Sequence, residues 1–233
     1  MNGKLFGVGV GPGDPELITR KAWRLIENAP VVAYPVLENA TSFARRIAED
    51  AISDHSQEIK IIIPMSVERA PAQAAYDAGS VKISEALESG KDVVVLCEGD
   101  PFFYGSFMYL HARLQDRYEI EIVPGVSSIT ACAAASHMPL SARSEILTVI
   151  PGPLEGNELR QAIAGAEALA IMKVGRHLNK IKSVVSEMGL LDHAVFVAHA
   201  SLDSQEVKPL SDAEGDAPYF SMILINKGTD PWL

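Results

Sequence analysis

The sequence predicts an α/β protein of two α/β domains with mostly parallel sheets, and three observations carry that prediction. Short apolar segments alternate with stretches of helical periodicity along most of the chain, which is the pattern of βαβ units. Gly-Asp-Pro occurs twice, at Gly13-Asp14-Pro15 and Gly99-Asp100-Pro101, each time after an apolar segment and before a helix-like one. A third strand-turn-helix junction follows at Pro124-Gly125-Val126-Ser127-Ser128. Glycine lets backbone approach a ligand closely, Asp can cap a helix, and Pro is pre-set for the first helical position. In open α/β sheets such turns lie at the carboxyl ends of strands, where ligands bind.

Taken in order, Lys4 to Val10 reads as a buried strand and Pro15 to Asn28 as a helix stopped by Pro30. Val31 to Tyr34 reads as a second strand ended by Pro35, Ser42 to Ile52 as an amphipathic helix, and Ile59 to Ile63 as a strand. Ala70 to Ser89 is a long helical stretch with Gly90 as its C-terminal cap, and Val93 to Leu96 is a strand leading into the second Gly-Asp-Pro. A helix over Phe102 to Leu114 and a strand over Glu119 to Val123 bring the chain to the third junction, with Ser127 or Ser128 as the helix cap.

Beyond Ser128 the texture changes, and a domain boundary falls near residue 125, giving domains 1–125 and 126–233. Ile129 to Ser136 is a helix of very small side chains, suited either to tight packing on a sheet or to close approach of a ligand. Strands are expected at Leu147 to Ile150, Ala168 to Met172 and Ala194 to Ala198, with helices at Glu158 to Ile163 and Leu178 to Met188. Glu206 to Leu210 and Phe220 to Ile225, joined by a polar loop, read as antiparallel strands.

Composition narrows the class of function. At 233 residues, 48% hydrophobic and 21% charged, the chain is globular and large enough for a sizeable core. A formal net charge of −10 makes nucleic acid or an anionic membrane a poor partner. No long uncharged apolar run and no leader pattern are visible, so a soluble, cytoplasmic protein is expected. Cys97 and Cys132 form no metal-type pair; two semi-buried thiols and no metal site are expected.

The glycine-rich opening, Gly7-Val8-Gly9-Val10-Gly11-Pro12-Gly13-Asp14-Pro15, first suggests a dinucleotide fingerprint and fails as one. The third small residue of G-x-G-x-x-G/A is Pro12 when counted from Gly7 and Asp14 when counted from Gly9. The second strand ends at Tyr34-Pro35 without a carboxylate, and no Gly-Lys-Ser/Thr follows for a phosphate loop. Asp14 and Asp100 at helix starts would repel phosphate. A ligand with a cationic or neutral head and a nucleoside tail suits these turns better.

The run from Gly7 to Thr19, then Gly99-Asp100-Pro101-Phe102-Phe103-Tyr104-Gly105, then Val123-Pro124-Gly125-Val126-Ser127-Ser128, resemble in order and spacing the three signatures of the tetrapyrrole methylases, class III S-adenosylmethionine-dependent methyltransferases. The resemblance runs from about residue 4 to 226. It implies two α/β domains with S-adenosyl-L-methionine folded into a cleft between them, usually in a homodimer. Carried over position by position, it implies cofactor contacts at Pro12, at Glu98, Gly99, Asp100 and Phe103, at Thr130 and Ala131, and at Met172 and Ala200. Val31 to Pro35, Leu96 to Ser106 and Tyr109-Leu110 look most like the branch that methylates carbon 20 of precorrin-2 in cobalamin synthesis. The uroporphyrinogen branch carries an acid where this chain has Pro35. The cobalt-containing counterpart of precorrin-2 stays open as the acceptor, as do methylation of a protein residue and a non-enzymatic nucleotide-binding module.

Methyl transfer from a sulfonium to an enamine-like ring carbon needs alignment more than covalent catalysis. Orientation in a water-poor cleft is worth roughly 7 to 11 kcal/mol. The carbon must then lose a proton, and Glu98, Asp100, Tyr104 and His199 are the candidate bases, with helix capping the competing role for Asp100. A tetrapyrrole substrate carries up to eight carboxylates, against which local basic groups must act within the screening length of about 8 to 10 Å. Arg20, Lys21, Arg45, Arg46, Lys173, Arg176 and His177 are the candidates, with Lys173 and Arg176 the best local pair.

Overall fold

The structure, a computed structural model, describes residues 2–66 and 68–228. Contacts divide the chain into two compact units, one ending at Ser127 and the other beginning at Ser128. Each is built on a five-stranded sheet.

In the first unit, β1 (Leu5–Gly9), β2 (Val31–Leu37), β3 (Gln57–Ile63), β4 (Val93–Cys97) and β5 (Ile120–Val123) are arranged in the order β3-β2-β4-β1-β5. Every pairing is parallel. Both faces are therefore covered, and successive residues serve opposite layers. Leu5, Val93, Val95 and Cys97 pack beneath α3 (Arg69–Glu88) and α4 (Phe107–Leu114). Phe6, Val8, Val94 and Leu96 pack against α1 (Arg20–Glu27) and α2 (Phe43–Ile47). Because β4, β1 and β5 are adjacent and run the same way, the turns that leave them open on one edge of the sheet.

Several boundaries differ from the sequence reading for local reasons. The expected helix from Pro15 is two pieces: Asp14 starts a 3-10 turn at Pro15–Leu17, and Thr19 starts α1 by accepting the Ala22 N–H at 3.2 Å. Pro35 does not end β2, since pairing with β4 stops at Ala33 and the strand continues beside β3 alone, the edge situation that tolerates proline. The helix expected from Phe102 begins only at Phe107. At α3 the cap is as expected: Gly90 has φ 82°, the Gly90 N–H donates to Leu87 O and the Lys91 N–H to Ala86 O, the Schellman pattern.

In the second unit, β6 (Leu147–Pro151), β7 (Ala168–Met172), β8 (Ala194–Ala198), β9 (Glu206–Pro209) and β10 (Ser221–Asn226) are arranged β6-β7-β10-β8-β9. β6, β7 and β8 run one way; β10 enters between β7 and β8 against them, and β9 runs against β8. The tail segments are thus strands, but β9 and β10 lie on either side of β8 and do not pair with each other. α6 (Gly156–Ala164) and α7 (Leu178–Glu187) cover one face, with Leu159, Ile163, Ile181 and Val185 in the core. α5 (Ser128–Ser136) covers the other, and Ser127 stands immediately before it. Among the described residues no helix is long and apolar enough to cross a membrane.

Candidate functional site

Three turns meet at the carboxyl edge of the first sheet. Gly11 and Gly99 exchange backbone hydrogen bonds, Gly99 N–H to Gly11 O at 2.8 Å and Gly11 N–H to Gly99 O at 3.3 Å. The end of β1 lies underneath. A Cβ on Gly9 would stand 2.5 Å from Gly99 O and 2.6 Å from Gly125 N, and one on Gly125 would stand 2.0 Å from Gly99 O. Any side chain at Gly9 or Gly125 would therefore push the turns apart.

Asp100 adds side-chain bonds to this frame. Its Oδ1 accepts the N–H of Phe102 at 2.9 Å and of Phe103 at 3.1 Å, and its Oδ2 accepts the N–H of Gly125 at 3.1 Å. The loop folds back on itself, for a Cβ on Gly105 would lie 2.4 Å from Asp100 O. Phe103 and Tyr104 pack edge to face at 5.3 Å, and both are exposed. Tyr104 has φ 56°, a left-handed conformation that costs a non-glycine residue about 1 to 2 kcal/mol. Strain of this kind concentrates at functional loops.

Pro12 and Glu98 are half-buried beside these turns. Burial raises the Glu98 carboxyl above its ordinary value, while its own N–H and that of Ala44 pull the other way. Cys97, just before it, is 1% exposed and burial pushes its thiol up to about 12, so it stays protonated and inert. Cys132 is likewise buried and pushed up to about 12.

In the second unit, Met172 ends β7 and pairs with Met222, while Ser221 pairs with Ala198 at the end of β8. Met172, Lys173, His199 and Ala200 consequently lie on one edge of that sheet. Lys173, His199 and Ser201 all have positive φ, at 57°, 52° and 68°. The His199 N–H donates to Phe220 O at 2.8 Å. Arg176 is exposed on a 3-10 turn; beside it, burial first, then Lys180 and Arg176, hold His177 below its ordinary value. On α5, Thr130 is exposed and Ala131 is buried with Cys132 against Ala170, Val197 and Leu224. The small side chains of this helix thus serve its packing on the sheet.

Other basic candidates have local duties. Lys21 pairs with Glu121, and Arg45 pairs with Glu49 at 2.8 Å and Glu58 at 3.2 Å. Arg46 lies over the Phe43 ring at 4.9 Å. Sequence reading missed the Tyr34 hydroxyl donating to Glu58, where burial and then the Glu58 carboxylate push the phenol up to about 12. That pair borders an open groove of about 800 Å³ along β2 and β3, two strands away from β1. Among the described residues no cluster of three or more His, Cys, Asp or Glu could hold a metal.

Residues 4–214 match the model of the tetrapyrrole (corrin/porphyrin) methylases. The chain belongs to that family. It is 40% identical over 236 residues to the cobalamin biosynthesis protein CobIJ of Mycobacterium tuberculosis, covering 97% of this chain and 46% of the relative. The chain therefore spans about half the length of that relative. It is 36% identical to the precorrin-2 C(20)-methyltransferase of Sinorhizobium sp, covering 96% and 95%, and 32% identical to the cobalt-precorrin-2 C(20)-methyltransferase of Salmonella typhimurium, covering 97% and 98%. Among solved structures, the uroporphyrin-III C-methyl transferase of Thermus thermophilus complexed with S-adenyl homocysteine superposes with a TM-score of 0.69 at 25% identity, covering 95% of this chain and 97% of the other.

Proposed function

We propose that this chain methylates carbon 20 of precorrin-2 in cobalamin biosynthesis, with S-adenosyl-L-methionine as donor. The observation that carries the reading is the end-to-end likeness to the Sinorhizobium enzyme, 96% of one chain against 95% of the other. The turns of the first unit suit the donor. They present acceptors and exposed aromatic rings at Glu98, Asp100, Phe103 and Tyr104, where a phosphate site would present N–H groups and cations.

Bound S-adenosyl-L-methionine supplies a methyl group already activated on a positively charged sulfur. The protein has to hold, orient and dry the reactants. Pro12, Glu98, Gly99, Asp100 and Phe103 in the first unit, and Thr130, Ala131, Met172 and Ala200 in the second, are the proposed donor contacts. Lys173 and Arg176 are the proposed partners of substrate carboxylates. Of the candidate bases, Asp100 already accepts three backbone N–H groups. Glu98 suits proton removal better, because burial lifts its carboxyl toward the range of a working general base. A cytoplasmic homodimer completes the proposal, and sedimentation of the purified chain checks the dimer.

Incubation with methyl-labelled S-adenosyl-L-methionine and either precorrin-2 or its cobalt-containing counterpart, followed by NMR location of the new methyl group, tests the reading. Label at carbon 20 of precorrin-2 is expected. Faster label of the cobalt compound assigns the alternative substrate, and label at carbon 20 of neither overturns the proposal.

A further inference from the structure

We infer that Asp100 is a positioning residue, a clamp that sets the second and third turns in one frame, and that it does not take the substrate proton. The inference rests on the proposed methylase reading and deepens it. Three N–H groups converge on its two oxygens, two from its own loop and one from Gly125, 25 residues away. A carboxylate meets this demand because both oxygens are acceptors; an amide would set a donor against at least one N–H. Taking a substrate proton would turn these charge-assisted bonds into weaker neutral ones and loosen the frame in every turnover.

The clamp has a definite span. Gly125 is pressed against Gly99 O so closely that no Cβ fits, and the backbone exchange between Gly11 and Gly99 ties the first turn to the second. The link from second to third turn passes through a side chain, the Asp100 carboxylate. Through it Asp100 fixes Phe102 and Phe103, which carry exposed rings at the edge of the sheet. The same bonds hold the approach to the left-handed Tyr104. A rigid loop loses less freedom when a ligand binds it, which is how such a clamp raises affinity.

Asp100→Asn and Asp100→Ala test this without requiring a ligand. In the ligand-free protein, amide hydrogen exchange at Phe102, Phe103 and Gly125 is expected to rise at least about tenfold in Asp100→Ala. In the nearly isosteric Asp100→Asn it rises at Gly125 or at the Phe102–Phe103 pair, according to which way the amide nitrogen turns. Affinity for S-adenosylhomocysteine, read by calorimetry, is expected to fall about ten- to hundredfold in both variants. The KM for the donor rises in parallel, while kcat of Asp100→Asn falls less than about tenfold and keeps the wild-type pH profile. Unchanged exchange at Gly125 together with unchanged donor affinity and a kcat lowered a hundredfold or more would assign Asp100 to proton transfer and overturn the clamp. Wild-type protein without affinity for S-adenosylhomocysteine would sink the methylase reading instead, leaving the exchange measurement to decide the clamp.

Discussion

After β1, the aspartate of Gly-Asp-Pro accepts the N–H of Glu16, two residues on, at 2.8 Å and begins the short 3-10 turn Pro15–Leu17. After β4, the same tripeptide spreads its carboxylate over Phe102, Phe103 and the distant Gly125, and no helix begins until Phe107. The tripeptide is identical; the neighbours differ. Gly9, at the end of β1, has no side chain, so the turns leaving β4 and β5 close over it and bring Gly125 to Asp100. The repeated motif thus specifies a local turn in both places, and after β4 it also ties the loop to the distant Gly125.

The comparison is broken most severely at the contact that permits the tie. Gly125→Ala puts a methyl group 2.0 Å from Gly99 O, against backbone that cannot rotate away. A loss of roughly 3 kcal/mol or more is expected by denaturant unfolding, and a loss below 1 kcal/mol would mean that the turns are not packed as described. Next comes Glu98→Gln, which keeps the shape of the second turn and removes its candidate base. Formation of the deprotonated carbon-20 product, the step that follows methyl transfer, should slow about a hundredfold in a single-turnover assay.

The same variant has a pH signature. Because the Glu98 carboxyl is raised in the folded state, the folded chain holds that proton more tightly than the unfolded chain does, so the charged form opposes folding above its folded pKa. Below the unfolded value the penalty vanishes. Glu98→Gln should therefore be the more stable protein at neutral pH and lose that advantage as pH falls through the carboxylate range, as thermal melts at several pH values will show.

Smaller effects are expected at the first turn. Asp14→Ala removes a cap from a three-residue turn, so about 1 kcal/mol of stability is at stake. Its donor affinity should drop less than that of Asp100→Ala in side-by-side calorimetry; an equal drop would erase the distinction between the two turns. Thr19→Ala, which unties only the start of α1, should cost about 1 kcal/mol or less and leave S-adenosylhomocysteine affinity within twofold.

Local patterns were readable where local physics decides. β7 and β8 fall on the expected residues, Ala168–Met172 and Ala194–Ala198, because each is a short, fully apolar run. α3 ends where Gly90 can turn left-handed. Reading failed where a neighbour intervenes. Pro35 stays inside β2 because β4 has already left its side, and the segments ending in β9 and β10 separate because β8 lies between them. The turn residues of the site could be picked out from Gly-Asp-Pro and Pro-Gly. The load on Asp100, the burial of Glu98 and the duties of Lys21 and Arg45 could not, since each depends on a partner far along the chain or on surrounding bulk.

By itself, then, the sequence determined the α/β class, the three special turns and the acidic, aromatic character that disfavours phosphate. Those are matters of backbone preference, side-chain periodicity and charge, which act over a few residues. Only the tertiary structure decided that the three turns share one sheet edge, through the order β4-β1-β5, and that Asp100 bridges two of them. Strand order and close backbone approach arise from packing between segments tens of residues apart, and no local pattern encodes which of two identical tripeptides will meet Gly125.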